Sequence, residues 1–283
     1  EHRALNLAVV ANHKFREESL THTYLSMLHG MEECARREGH HFLKIQISGD
    51  EFSEERAGDL NRQLDGLSVD GCLVHAATGS WIDEILEVRK IPRAHLSDYR
   101  ADDIPHPCIL LDPADALRSA VLRLHREGCR RIGHYGLKGR FLAPGLREAF
   151  ESTMDKLGLP SGRAEYLDLD PEDVERGVER MLSFDKPPDG VYVSDDVLLK
   201  YLAAEWKKRG LTPGGDFSVI TLSCRGNDHP GDLNWTRMEF NPFQVGRMAM
   251  DTLLQSIQTV EGALCSFIHV AAYIPGATTR GVT

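Results

Sequence analysis

The residues best placed to do chemistry in this chain stand just after short apolar runs. Asp195 and Asp196 follow the run 191–193. Two adjacent carboxylates there could form an acid–base or metal-binding pair. They also open a helical stretch, where a carboxylate caps free N–H groups and meets the positive end of the helix dipole. Gly136-Leu-Lys-Gly139-Arg140 is the nearest approach to a glycine-rich phosphate loop, and it reads equally as a plain connection. Arg130-Arg131 suggests an anion site but opens a strand, which favours solvated flanking charge. The thirteen histidines form no metal spacing, and His40 and His41 are adjacent, so a strand would point them to opposite faces. GxGxxG, GxxxxGK[ST], GxSxG and HExxH are all missing, so no nucleotide cofactor, no metal and no enzymatic reaction is expected.

The elements that must position these residues alternate regularly. Strands are expected at 5–10, 42–47, 69–75, 92–96, 108–111, 130–135, 164–167, 191–193, 217–222 and 235–240, with a last one at 267–272. Helical stripes lie between them, such as Leu20, Tyr24, Met27, Leu28, Met31, Cys34 and Ala35 at three- and four-residue steps. Asp112-Pro113 reads as a cap followed by proline at the first helical position. Repeated strand–helix units mean parallel sheets covered by helices on both faces. So many strands in 283 residues fit an α/β fold of two doubly wound lobes better than one wide sheet.

Composition narrows the function. The formal net charge of −10 argues against this chain holding nucleic acid by itself, because phosphate binding rests on a basic surface. No apolar stretch reaches the length of a membrane span. The six cysteines show no CxxC pair, which favours reduced thiols and a cytoplasm-like compartment. The chain opens on Glu1 with neither initiator Met nor leader, and is expected to be a cut end. In doubly wound folds ligands sit beyond the carboxyl ends of the strands. The loops to watch are therefore 11–19, 76–80, 97–100, 136–143, 194–196 and 223–228. A two-lobed body with polar residues there suits a clamp that closes on a small polar ligand.

Four segments, in order, resemble the effector-binding domain of the lactose/galactose-repressor (LacI/GalR) family. The stretch 28–39 is similar to the family's first helix and the glycine that ends it. Asp112-Pro113, with Leu124-His-Arg-Glu-Gly-Cys-Arg-Arg-Ile-Gly133, resembles the Asp-opened helix leading into a strand. The stretch 188–195 with 210–220 resembles the family's strand, Asp, helix and "Asp-Ile-Ser-Val" sequence. The stretch 241–249 with 274–280 resembles the last helix and closing tail. The resemblance implies a periplasmic-binding-protein type I-like fold with crossovers near 135–136, 240 and 267. The lobes would then be 1–135 with 241–267, and 136–240 with 268–283. It further implies a small-molecule effector in the cleft, a homodimer, and a helix-turn-helix reader of operator DNA upstream of this chain. A periplasmic solute-binding protein of an importer is the alternative on the same fold.

The site residues follow from both readings. Asn12 and His13 follow the first strand and should line the cleft floor. Tyr24 falls where the family sets an aromatic against its ligand, and also on the core stripe of its helix. Asp115 matches an effector-contact position, and equally suits a first helical turn. Asn241 and Phe243 lie at a crossover. Ser194, Asp195 and Ser223 match cleft positions, with Asp195 also a helix cap. The family's sugar-gripping Arg falls on Leu146 here, with Arg147 one residue later, and its Asp falls on Ser223. A common hexose grip is thereby weakened, and Arg140, Arg147 and Arg225 become candidates for an anionic or unusual ligand.

Overall fold

Runs such as Leu7-Ala-Val-Val10 are apolar at every position because their strands are buried on both faces, whereas each helix needs only one apolar stripe. The computed structural model describes residues 3–12, 18–47, 52–75, 81–97, 107–137, 145–160, 166–258 and 266–280. The chain divides into two units, Glu1–Leu111 with Asn241–His269, and Asp112–Phe240 with Val270–Thr283.

In the first unit the elements run β1 (Asn6–Asn12), α1 (Glu18–Arg37), β2 (His41–Ile47), α2 (Glu54–Leu67), β3 (Gly71–His75), α3 (Trp81–Val88), β4 (Arg93–Ser97) and β5 (Cys108–Leu111), joined late in the chain by α8 (Pro242–Gln258) and β11 (Phe267–His269). The sheet order is β11-β5-β4-β3-β1-β2, and every pairing is parallel. Its two faces carry separate cores. Leu7, Val9, Leu73 and Leu96 pack with α1 and α8, while Ala8, Val10, Ile45 and Val74 pack with α2 and α3.

Helices α1 and α8 touch backbone to backbone. A Cβ on Gly30 would lie 2.1 Å from the Phe243 carbonyl oxygen, and one on Gly246 would lie 2.0 Å from that of Met27. Neither distance is sterically possible, so glycine is required on both helices.

In the second unit come α4 (Pro113–Arg126), β6 (Ile132–Leu137), α5 (Leu146–Lys156), β7 (Tyr166–Leu169), α6 (Val174–Leu182), β8 (Gly190–Val193), α7 (Asp196–Lys208), β9 (Ser218–Cys224), β10 (Arg237–Phe240) and β12 (Ala272–Ile274). The order is β12-β10-β9-β8-β6-β7, parallel except for β12, which runs antiparallel to β10. Tyr135, Leu137, Val191, Val193 and Val219 form one core with α6 and α7.

Two expectations are corrected here. The first crossover lies between Leu111 and Asp112, not near 135–136. The strand β6 pairs with β7 and β8, and α4 packs against β8, β9 and α5, so both belong to the second unit. Asp115 therefore moves to the second unit. The stretch expected as one strand at 267–272 is two, because β11 pairs with β5 in one sheet and β12 with β10 in the other.

Candidate ligand-binding site

Each sheet repeats one plan, in which the first strand of the unit lies between the second and third. The point where successive strands leave in opposite directions opens a crevice at their carboxyl ends. In the first unit that point lies beyond β1 and β3, and in the second beyond β6 and β8.

At the first, Asn12 ends β1 in register with Ile47 of β2. His13 lies outside the described residues, as does Arg140. Tyr24 is half-buried against the core of α1 and α8, and burial raises its hydroxyl pKa. The side-chain oxygen of Asn241 accepts a hydrogen bond from the Gln244 backbone N–H at 3.3 Å, at the start of α8. The Phe243 ring meets His29 of α1 edge-on at 5.4 Å.

At the second, strand register brings polar groups together around a glycine. Gly136 pairs with Asp168 across β6–β7, and Ser194 follows Val193, the partner of Tyr135. A Cβ on Gly136 would lie 2.7 Å from Asp168 Oδ1, 2.8 Å from His134 Cε1 and 3.3 Å from Ser194 Oγ. Ser194 is buried, and its hydroxyl is 3.0 Å from His134 Nε2. Burial, followed by the charge of Arg147, pushes the His134 pKa down to about 3, so its imidazole is neutral. His134 Nδ1 is buried and has no hydrogen-bond partner among the described residues.

Asp195 is used structurally. Its Oδ1 accepts hydrogen bonds from the backbone N–H groups of Val197 (2.8 Å) and Leu198 (3.2 Å), capping α7. Its neighbour Asp196 is buried and hydrogen-bonded by the Asn227 side chain. On β9, the buried Ser223 hydroxyl is 2.9 Å from His229 Nε2. The His229 pKa is lowered, chiefly by burial and then by Arg237, against opposing pulls from Asp196, Glu239 and Asp228. Arg225 donates from Nε to Glu239 at 2.9 Å, and Arg237 donates to the other oxygen of the same carboxylate at 2.9 Å. In the first turn of α4 the backbone N–H of Asp115 donates to the capping Asp112 at 2.8 Å.

Arg147 stands apart from this row. It reaches over the outer strand β7, with its guanidinium carbon 4.3 Å from the Tyr166 ring centre and a nitrogen 3.9 Å from Asp168 Oδ2. His134, Asp168, Asn227, His229 and Glu239 were not foreseen from sequence. His134 and Glu239 are strand residues at inward positions, and the loop 225–234 carries only turn signals. Polar residues breaking an apolar strand are the one local sign.

A family profile described as "Periplasmic binding protein-like domain" matches residues 121–279. The chain belongs to this family. The expected likeness of this periplasmic binding protein-like domain to LacI/GalR effector-binding domains also holds. It is 22% identical over 258 residues to the HTH-type transcriptional repressor CytR of Escherichia coli K12, covering 83% of this chain and 69% of the repressor. It superposes on a LacI-family regulatory protein from Chloroflexus aggregans with TM-score 0.77 at 18% identity, covering 97% and 98% of the two chains. It superposes on the LacI-family regulator CCPA from Weissella paramesenteroides, solved with bound glucose, with TM-score 0.73 at 17% identity, covering 97% and 98%. These relatives are transcriptional regulators rather than enzymes. The two-sheet α/β architecture expected from the sequence is the one these proteins share.

Proposed function

We propose that this domain senses a small polar effector for a LacI/GalR-type transcriptional regulator. In this reading the effector lies at the carboxyl ends of the strands of both units. Binding changes the operator affinity of helix-turn-helix readers attached upstream, in a homodimer working in the cytoplasm. The observation that carries the reading is the duplicated strand plan, with the buried hydroxyls of Ser194 after β8 and Ser223 on β9 in the second unit; Asn12 and His13 are the residues proposed to meet the ligand in the first. The glucose-bound relative supports a ligand of this kind. Asn241 and Phe243, which open α8, and Arg140 complete the proposed lining.

The second-unit wall is rich in neutral hydrogen-bonding groups. Ser223 stands where the resemblance expects a carboxylate, and Arg225 is already paired with Glu239. The ligand is therefore a neutral polyol, sugar or nucleoside rather than a free anion at this wall. The alternative, an exported solute receptor, shares the fold. The free thiols at Cys34, Cys72 and Cys129 favour the reducing compartment of a regulator.

Calorimetry against a panel of sugars and nucleosides tests the site. One class should bind saturably, and Ser194→Ala and Ser223→Ala should each weaken it by about tenfold. Binding untouched by both substitutions overturns the placement. Ligand-dependent change in operator affinity, measured on the protein from its full gene, tests the regulatory role.

A further inference from the structure

Along the outer edge of the second sheet runs an open groove of about 500 Å³, lined by Arg147, Tyr166, Leu167, Asp168 and Arg180. Its floor is β7, an edge strand paired on one side only, to β6. Arg147 comes from the first turn of α5. Arg180 comes from the last turn of α6, which returns the chain toward the start of β8. The two arginines thus approach one strand from two helices.

Both cations are under-used. Arg147 lies flat enough over Tyr166 for a cation–π contact, and its nitrogens are 3.9 Å from both Asp168 and Glu151, beyond hydrogen-bond distance. A guanidinium stacked on a ring keeps its in-plane N–H groups free to grip an oxyanion in bidentate fashion. Arg180 is exposed, and its side chain has no ion-pair or hydrogen-bond partner among the described residues. Among the described residues Asp168 is the one carboxylate lining the groove. Burial raises its pKa, against the pull of Arg147. In a chain of net charge −10, two available guanidiniums beside one groove are a local exception. The volume suits a small metabolite.

We propose that this groove is a second ligand site, in which Arg147 and Arg180 clamp the dianionic oxyanion group, phosphoryl or dicarboxylate, of a small metabolite beside the Arg147–Tyr166 stack. It shares Asp168 with the polar groups around Gly136, but it rests on the two arginines and not on Ser194 and Ser223. The strand-end wall offers neutral hydrogen bonds, whereas this groove offers the loosely ion-paired Arg147 and the exposed Arg180 on the strand's outer edge.

Calorimetry of the intact domain at constant ionic strength tests it, with phenyl phosphate, inorganic phosphate and malonate as probes and chloride as control. Saturable binding of at least one dianion is expected, and it should weaken about tenfold in Arg147→Gln and about tenfold in Arg180→Gln. Arg180 is exposed, so Arg180→Gln should keep the parent melting temperature. Preference for either phosphate over malonate assigns the phosphoryl class, and preference for malonate assigns the dicarboxylate class. The proposal fails if no dianion saturates beyond the chloride control, or if binding is unchanged in both arginine variants. It fails too if binding is lost in Ser194→Ala or Ser223→Ala but kept in the arginine variants, because the ion then occupies the strand-end site.

Discussion

Arg147 and His134 hold the Tyr166 ring between them. The guanidinium carbon lies 4.3 Å from the ring centre, and the imidazole stacks 4.0 Å from it at an interplanar angle of 20°. Two groups that close to one centroid would overlap on a single face, so they occupy opposite faces. The stack carries Arg147's field from the exposed edge of β7 to a fully buried imidazole.

This stack makes stability depend on pH in a stated direction. The His134 pKa is about 3 in the folded chain, against an ordinary histidine value near 6.5 when unfolded. The unfolded chain therefore takes up this proton first. Stability is fully present above about pH 6.5 and falls as pH drops toward 3, by about 1.4 kcal/mol per pH unit from this group. Urea midpoints at pH 6.5, 5.5 and 4.5 should show that slope, and His134→Leu should flatten it by about one proton. An unchanged slope in the variant would remove His134 as its source.

Glu239 acts in the acid range through a shift in the same direction but from a different cause, ion pairing instead of burial. Burial raises its pKa, but hydrogen bonds from Arg225 and Arg237 outweigh this and leave it lowered. Its contribution is present above the unfolded carboxylate value and lost as pH falls through the folded one. Glu239→Ala leaves two guanidiniums without their shared partner and should cost about 3 kcal/mol at neutral pH, read by denaturant titration. A loss below about 0.5 kcal/mol would show the pairs to be solvated in solution.

The crossing of α1 and α8 should tolerate no side chain. Gly30→Ala and Gly246→Ala each drive a methyl into a carbonyl oxygen of the facing helix, and each should destabilise by about 3 kcal/mol or more. Gly39→Ala is a useful contrast. Gly39 ends α1 with φ +77° and has open space around it, so it incurs backbone strain alone, about 1 kcal/mol. Melting temperatures should rank Gly39→Ala above both helix variants.

Removing the cap of α7 should be a modest and purely structural change. Asp195→Ala frees the N–H groups of Val197 and Leu198 and should cost about 1 kcal/mol, with Asp195→Asn recovering most of it. Ligand affinity should stay within about twofold of the parent in Asp195→Asn. A tenfold loss there would mean that this carboxylate also touches the effector.

Local chemistry is enough to write down most of the elements. Apolar runs such as 191–193, the capping Asp112 and Asp195, and the glycines after α1 and α4 act over a few residues, so their consequences are legible one after another. The α/β class follows because parallel strands need helical crossovers. Partnership is a different matter. Nothing within residues 130–135 says that this strand pairs with β7 and β8, so the first crossover reads too late. Nothing in 267–272 says that one short stretch serves two sheets.

The candidate site divides along the same line. Ser194 and Ser223 are visible from sequence because they follow strands, and strand ends are local features. The bonds His134–Ser194, His229–Ser223 and Arg225–Glu239 join residues from 6 to 60 positions apart, and the closeness of Arg147 to Tyr166 depends on α5 crossing the outer strand. Long-range pairing of strands and packing of helices, which no short window of residues encodes, decided which polar groups meet and which cations stand beside the groove.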